Sequence, residues 1–168
     1  AKKLLEVINE KTKWFILNSP SNPTGSCYTE SELSDLAKVL LNHPHVNIMS
    51  DDIYEHLVYD DFKFKTIAQF DSKLLNQTLT INGVSKAYAM TGWRIGYAAG
   101  NKELIKAMGK LQSQSTSNPS SISQAASVEA LNGDQSFLKS RAEVFKKRRN
   151  FIVDALNNMK GISCSLPN

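Results

Sequence analysis

Short apolar runs alternate with helical patterns through the first half of the chain. Residues 14–18, 46–50 and 78–82 have the length and the composition of buried strands. A fourth apolar run, residues 95–99, follows the third after a short loop, so we expect these two strands to be antiparallel. Strands that alternate with helices predict an α/β fold with a mainly parallel sheet.

Helix signals lie between and after these runs. Thr29 and Glu32 form a capping box at the start of a helix that Pro44 is placed to end. The apolar face of this helix carries Leu33, Leu36, Ala37, Leu40 and Leu41. A long patterned helix is predicted from about residue 134 to about residue 160, whereas residues 59–76 show no clear pattern and are predicted to be loosely structured.

Polar side chains follow three of the predicted strands. Asn22 comes after the first strand, Asp51 and Tyr54 after the second, and Ser85 and Lys86 after the third. Ligands of parallel α/β sheets bind beyond the carboxyl ends of the strands. The sequence therefore predicts that these side chains converge on one ligand.

Lys86 and Arg94 indicate what that ligand is. A lysine in an apolar, glycine-punctuated stretch can be desolvated, which frees its amine as a nucleophile towards carbonyls, although an ordinary solvated lysine is the alternative. The planar guanidinium of Arg94 suits a phosphate. A carboxylate such as Asp51 can hold a ring nitrogen protonated, and Tyr54 and Asn22 can donate to a phenolic oxygen. These partners together predict pyridoxal 5'-phosphate.

Three ordered motifs carry a family resemblance. They are residues 18–25 (NSPSNPTG), residues 50–57 (SDDIYEHL) and residues 83–97 (GVSKAYAMTGWRIGY). With these motifs the chain resembles the class I aminotransferases of fold type I, most closely their bacterial aspartate aminotransferase branch, over essentially its whole length. The resemblance implies that residues 1–133 are part of the cofactor-binding large domain. Residues 134–168 would be the connecting helix and the start of the small domain.

The resemblance implies catalytic roles for three residues. Lys86 is the expected Schiff-base lysine, which also moves the proton between the substrate and the cofactor. Asp51 is the expected partner of the pyridine nitrogen. The adjacent Asp52 competes for this role, but the family's spacing to Tyr54 favours Asp51.

The same resemblance implies the cofactor-binding contacts. Tyr54 and Asn22 match the residues that bond the 3-oxygen of the cofactor, and Ser85 and Arg94 match phosphate ligands. Several contacts of the family fall outside the chain, including the rest of the phosphate loop and the arginine that binds the substrate α-carboxylate. Residues 112–116 (QSQST) also lack the arginine with which some relatives bind a side-chain carboxylate.

The implied activity is transfer of an amino group from an amino acid to a 2-oxo acid, with aspartate and 2-oxoglutarate as the expected pair. An aromatic or kynurenine aminotransferase and a carbon–sulfur lyase of the same fold remain alternatives. The full-length protein is expected to be a cytoplasmic homodimer. Both ends of the chain are expected to be cuts through a longer protein, so a fragment that folds or associates without catalysis is a further alternative.

Composition excludes several other classes of function. The net charge is +4, and the one basic run, residues 146–149, lies beside a helical apolar stripe, which indicates a solvated helix face rather than a nucleic-acid site. Cys27 and Cys164 form no CxxC motif, so neither a disulfide framework nor a zinc site is predicted. No apolar run reaches the length of a membrane span, so no membrane association is expected.

Overall fold

Four strands form a single sheet in the computed structural model, which describes residues 1–167. The strands are β1 (Trp14–Asn18), β2 (Asn47–Asp51), β3 (Thr78–Gly83) and β4 (Gly96–Ala99), and they lie in this order across the sheet. β1, β2 and β3 pair in parallel, and β4 pairs with β3 in the antiparallel direction. The predicted α/β class, the parallel pairing and the antiparallel fourth strand are confirmed.

Six helices connect and follow these strands. They are α1 (Lys2–Val7), α2 (Glu30–Leu41), α3 (Ser72–Gln77), α4 (Lys102–Ser113), α5 (Ser121–Asn132) and α6 (Ser136–Asn157). The Thr29 and Glu32 capping box is present at α2, where Thr29 Oγ1 accepts from the Glu32 N–H and Glu32 Oε2 accepts from the Thr29 N–H. α2 ends at Leu41, before Pro44, and the amides of Asn42 and His43 donate to the carbonyls of Val39 and Leu40 in a final tighter turn.

The prediction of a loose segment over residues 59–76 is wrong in its second half. This part contains a 3₁₀ turn at Ile67–Gln69 and most of α3. The Asp71 side chain caps α3 by accepting from the Lys73 N–H at 2.7 Å. Leu74 and Ile67 are fully buried, so tertiary packing stabilises two elements that are too short to show a helical period in the sequence.

The hydrophobic core lies against one face of the sheet. α2, α3 and the 3₁₀ turn contribute its outer layer, and β1 and β2 contribute the inner one. Its buried members are Leu17, Leu33, Leu36, Ala37, Leu40, Val46, Ile48, Ile67 and Leu74. On the other face Ile16 is 64% exposed. Further apolar side chains are exposed on α4 and α5, namely Met108, Leu111, Ile122, Val128 and Leu131.

Arg149 joins α6 to the segment that follows β2. It occupies the one polar position in the apolar stripe of α6. The Arg149 side chain is 7% exposed, and it pairs with Asp60 through an Nη2–Oδ2 distance of 2.5 Å. Its guanidinium also stacks on the Tyr59 ring and donates to the Pro167 carbonyl at 2.8 Å. Lys146 pairs with the other Asp60 oxygen at 2.8 Å, so this lysine is not solely the solvated residue that the sequence predicted. Hydrogen bonds from Lys146 and then Arg149 lower the pKa of Asp60.

Asp51, the last residue of β2, and the adjacent Asp52 lie on opposite faces of the sheet, because side chains alternate along a strand. Asp52 is 4% exposed, and its Oδ1 accepts from the Ser50 hydroxyl at 2.7 Å. Asp51 is half-buried, and its Oδ1 accepts from the Ile53 N–H at 3.4 Å. Burial raises the pKa of Asp52, although the Ser50 hydrogen bond opposes this effect.

No helix within residues 1–167 combines the length and the apolar character needed to cross a lipid bilayer.

We expect Asp52 to make the stability of the fold fall as the pH rises. Its pKa in the folded protein is raised, so the folded state keeps a proton that the unfolded chain loses above about pH 4. The stability contribution of the protonated form is complete below that pH and is lost as the pH rises through the higher folded-state pKa. The slope reaches at most about 1.4 kcal/mol per pH unit.

Asp52→Asn should remove this slope, because an amide oxygen can still accept from Ser50 without ionising. The measurement is the midpoint of urea denaturation across the weakly acidic range. Ser50→Ala is the matched comparison: it removes the hydrogen bond that opposes the shift, so the fall in stability should extend to higher pH. An Asp52→Asn profile that still falls with pH as steeply as the wild type would contradict the assignment.

Candidate active site

Lys86 lies in the loop between β3 and β4, and buried neighbours hold this loop in place. Val84, Ala87 and Ile95 are at most 8% exposed. The Met90 N–H donates to the Val84 carbonyl at 3.2 Å, and the Ala89 N–H donates to the Lys86 carbonyl at 3.0 Å. The loop therefore has a buried base from which the Lys86 side chain extends.

The Lys86 ammonium reaches the end of β2. Its Nζ atom lies 5.5 Å from the centroid of the Tyr54 ring, which is a distance typical of a cation–π contact. The side chain is exposed within the described residues, so the desolvation that the sequence suggested is not present. A cavity of about 460 Å³ lies beside Lys86, and Phe137, Arg141 and Arg148 of α6 also line it.

Asn22 joins the ends of β1 and β2. Its amide Nδ2 donates to the Tyr54 hydroxyl at 3.2 Å, while its backbone N–H donates to Asn18 Oδ1 at 2.8 Å. Asn18 in turn donates from its Nδ2 to the Asp51 carbonyl at 3.4 Å. Because Tyr54 Oη accepts from Asn22, the hydroxyl hydrogen of Tyr54 is available to a ligand. Asn22 and Tyr54 therefore present hydrogen-bond donors at the same point.

Asp51 is the carboxylate that a ligand at this edge of the sheet can reach. It is the last residue of β2 and pairs in register with Asn18 of β1 and Ile81 of β3. Asp52 is enclosed on the core side with Ser50, so it is not accessible in the same way. The geometry favours Asp51 over its neighbour, as the spacing to Tyr54 did.

Ser85 and Arg94 are brought into one turn by Thr91. The Thr91 hydroxyl donates to the Ser85 carbonyl at 2.9 Å, and Arg94 Nη1 donates to the Thr91 carbonyl at 3.0 Å. Arg94 has a φ of 57°, in the left-handed region, and its side chain is exposed. Thr91 was not singled out by sequence reasoning, because a hydroxyl that orders a loop leaves no periodic signal.

These groups match the chemistry of pyridoxal 5'-phosphate. An amine suits its aldehyde, a carboxylate suits its ring nitrogen, and the paired donors of Asn22 and Tyr54 suit its phenolic oxygen. The Arg94 guanidinium and the Ser85 hydroxyl suit part of its phosphate. The residues present therefore fit this cofactor.

Two contacts of the Lys86 loop were not predicted from the sequence. Arg141 donates from Nη1 to the Ala87 carbonyl, and the Tyr88 hydroxyl donates to Gln135 Oε1. Each contact joins residues about 50 positions apart, so no local sequence pattern could have indicated it.

Comparison with curated proteins gives close relatives. The aspartate/prephenate aminotransferase of Cereibacter sphaeroides is 61% identical over 165 residues, which cover 98% of this chain and 41% of the relative. The aspartate aminotransferase of Rhizobium meliloti is 59% identical over 167 residues, which cover 99% of this chain and 41% of the relative. The chain thus spans about two fifths of the length of the proteins that it matches.

Comparison with solved structures gives the same result for the fold. The crystal structure of the Rhizobium meliloti aspartate aminotransferase superposes with a TM-score of 0.97 at 59% identity, covering 99% of this chain and 42% of that structure. The aromatic aminotransferase from Pyrococcus horikoshii superposes with a TM-score of 0.89 at 34% identity, covering 95% of this chain and 43% of that structure. The model of the family described as aminotransferase class I and II matches residues 1–168. The chain belongs to this family.

Proposed function

We propose that the chain forms the lysine-bearing part of the active site of a pyridoxal-phosphate-dependent aminotransferase. The observation that carries this proposal is the convergence of Asn22, Tyr54 and Lys86 from three different strand ends. The Asn22–Tyr54 hydrogen bond is 3.2 Å long, and the Lys86 ammonium lies 5.5 Å from the Tyr54 ring. Membership of the family supports the same conclusion.

Lys86 would act both as the anchor of the cofactor and as the proton carrier. When bound, pyridoxal 5'-phosphate supplies an aldehyde that takes up amino groups and a protonated ring that withdraws electrons from the reacting carbon. The Lys86 amine would hold the cofactor and, when displaced by the amino group of the substrate, would move a proton at the substrate α-carbon. Its exposed position beside a cavity of about 460 Å³ leaves room for both tasks.

The other residues would orient the ring. Asp51 would keep the proton on the ring nitrogen, which makes the ring electron-withdrawing. Tyr54 and Asn22 would donate to the phenolic oxygen, and Ser85 with Arg94 would bind the phosphate. Asp51 and Tyr54 are both half-buried, so water competes only in part for these contacts.

The substrates that we propose are an amino acid and a 2-oxo acid, with aspartate and 2-oxoglutarate as the pair. The names of the relatives at 61% and 59% identity support aspartate as the amino donor. The aromatic aminotransferase from Pyrococcus horikoshii, at 34% identity, is a weaker argument for an aromatic donor. We further propose a cytoplasmic homodimer in which residues 1–133 belong to the large domain and residues 134–168 lead into the small domain.

Borohydride trapping tests the proposed site. The protein, expressed from its complete natural reading frame, is incubated with pyridoxal 5'-phosphate, reduced, and mapped by mass spectrometry. We expect one adduct on Lys86, because this amine is the one that the site presents to an aldehyde. Lys86→Ala should abolish the adduct, and Lys139→Ala, which removes an exposed lysine of α6, should leave it unchanged. Scattered labelling, or none, would overturn the proposal.

The same trapping experiment tests the substrates. Aspartate added before reduction should free Lys86 and lower the yield of the adduct, and 2-oxoglutarate should then restore it. Phenylalanine is the matched comparison. A loss of the adduct with phenylalanine but not with aspartate would replace the aspartate assignment with an aromatic one.

A second candidate function is a non-catalytic folding or association unit. The observation that favours it is the exposed apolar surface, which includes Ile16 on the sheet and Leu111 and Ile122, both 73% exposed, on α4 and α5. Surfaces of this kind mark interaction sites or cause association.

We therefore expect the 168-residue chain, produced by itself, to self-associate and to show no transamination. The resemblance places the substrate-binding arginine outside this chain, so the site lacks a group needed for turnover. Light scattering and a coupled aspartate assay check these two outcomes. A monodisperse monomer would contradict the first expectation, and robust turnover the second.

A further inference from the structure

Arg141 contacts the residue that directly follows Lys86. Its Nη1 atom donates to the Ala87 carbonyl at 2.6 Å, and Ala87 is only 3% exposed. The Arg141 guanidinium also lies 5.0 Å from the centroid of the Phe137 ring, one turn earlier on α6. A half-buried, charge-assisted hydrogen bond of this kind is stronger than a neutral one, so it can fix the orientation of a peptide group.

A second contact holds the next residue of the loop. The Tyr88 hydroxyl donates to Gln135 Oε1 at 2.9 Å. Gln135 is itself fixed, because its Nε2 atom donates to the carbonyls of Ala130 at 2.9 Å and Gly133 at 2.8 Å. Two consecutive residues after Lys86 are therefore attached to α6 and to the segment before it.

The loop needs such support, because its own backbone is strained. Ala89 has a φ of 53°, in the left-handed region that residues with a β-carbon rarely adopt. The turn that contains it begins at Lys86, whose carbonyl accepts from the Ala89 N–H. The orientation of the Ala87 peptide group is thus linked to the direction in which the Lys86 side chain leaves the backbone.

We propose that Arg141 is a positioning residue for Lys86 and holds the lysine-bearing loop in the orientation in which its amine meets the cofactor. The inference rests on the proposed function of Lys86. Arg148 lines the same cavity and carries the same charge, so a comparison of the two arginines separates the effect of charge from the effect of the hydrogen bond. The contact that the structure shows for Arg148 is a stacking on Phe145, at 5.5 Å from the ring centroid.

This pair of arginines provides a matched experiment. Arg141→Met and Arg148→Met each remove one positive charge from the cavity beside Lys86, but only the first removes a hydrogen bond to the loop. Both variants are made in the protein expressed from its complete natural reading frame. The rate of borohydride trapping at Lys86 and the pH dependence of the visible absorbance of the bound cofactor are measured.

We expect Arg141→Met to slow trapping about tenfold, because a hydrogen bond to a charged group of this strength is lost, and to shift the pH midpoint of the absorbance. Arg148→Met should behave like the wild type. Arg141→Lys should restore most of the rate, since an ammonium group can also donate to the Ala87 carbonyl.

Three outcomes would overturn the inference. The first is a wild-type trapping rate and a wild-type pH midpoint of the absorbance in Arg141→Met. The second is an equal change in Arg141→Met and Arg148→Met, which would indicate an effect of charge alone. The third is a trapping rate that Arg141→Lys does not restore. The urea midpoint of each cofactor-free variant separates misfolding from misplacement. If Arg141→Met does not fold, Arg141→Gln replaces it, because its amide is uncharged and shorter than the guanidinium: a lower urea midpoint with a wild-type trapping rate in this variant assigns Arg141 to stability alone. Absence of trapping in the wild type would instead refute the proposed function itself.

Discussion

The register of the parallel strands is the constraint on which the candidate site depends. Asn18 pairs with Asp51, and Asp51 pairs with Ile81, so β1 and β2 end at the same level and β3 continues for two more residues. Polar residues that follow each strand are therefore neighbours in space. Because side chains alternate along a strand, a slip of one residue in β2 would place Asp52 where Asp51 now lies. The backbone ladder thus decides which carboxylate a ligand can reach.

Local sequence patterns predicted most of the fold, and the roles of the proposed site residues stay predictions. The strands, the Thr29 capping box and the antiparallel pairing of β4 follow from short-range rules, and each is present. Patterns did not predict α3 or the partners of Arg149, because these depend on packing between distant segments. The exposure of Lys86 likewise depends on which elements lie opposite it, and a one-dimensional pattern contains no such information.

α6 and the residue before it, Gln135, make several polar contacts with the rest of the molecule. Arg141 and Gln135 contact the Lys86 loop, while Arg149 and Lys146 contact Asp60. Such contacts are directional, so they determine the position of the helix more closely than apolar packing would. The buried Arg149 fits this view, since a well-partnered buried ion contributes more to a specific arrangement than to net stability.

The Arg149–Asp60 pair has a consequence for the order of folding. All the buried residues of the hydrophobic core lie between Leu17 and Leu74, so an emerging chain has synthesised the whole core long before Arg149. During that interval Asp60 lacks Arg149, the buried partner with which it pairs in the folded protein. The α/β layer can therefore assemble first from near neighbours in sequence, and α6 docks afterwards onto a surface that is already formed. Formation of the core and docking of α6 can therefore be separate kinetic events.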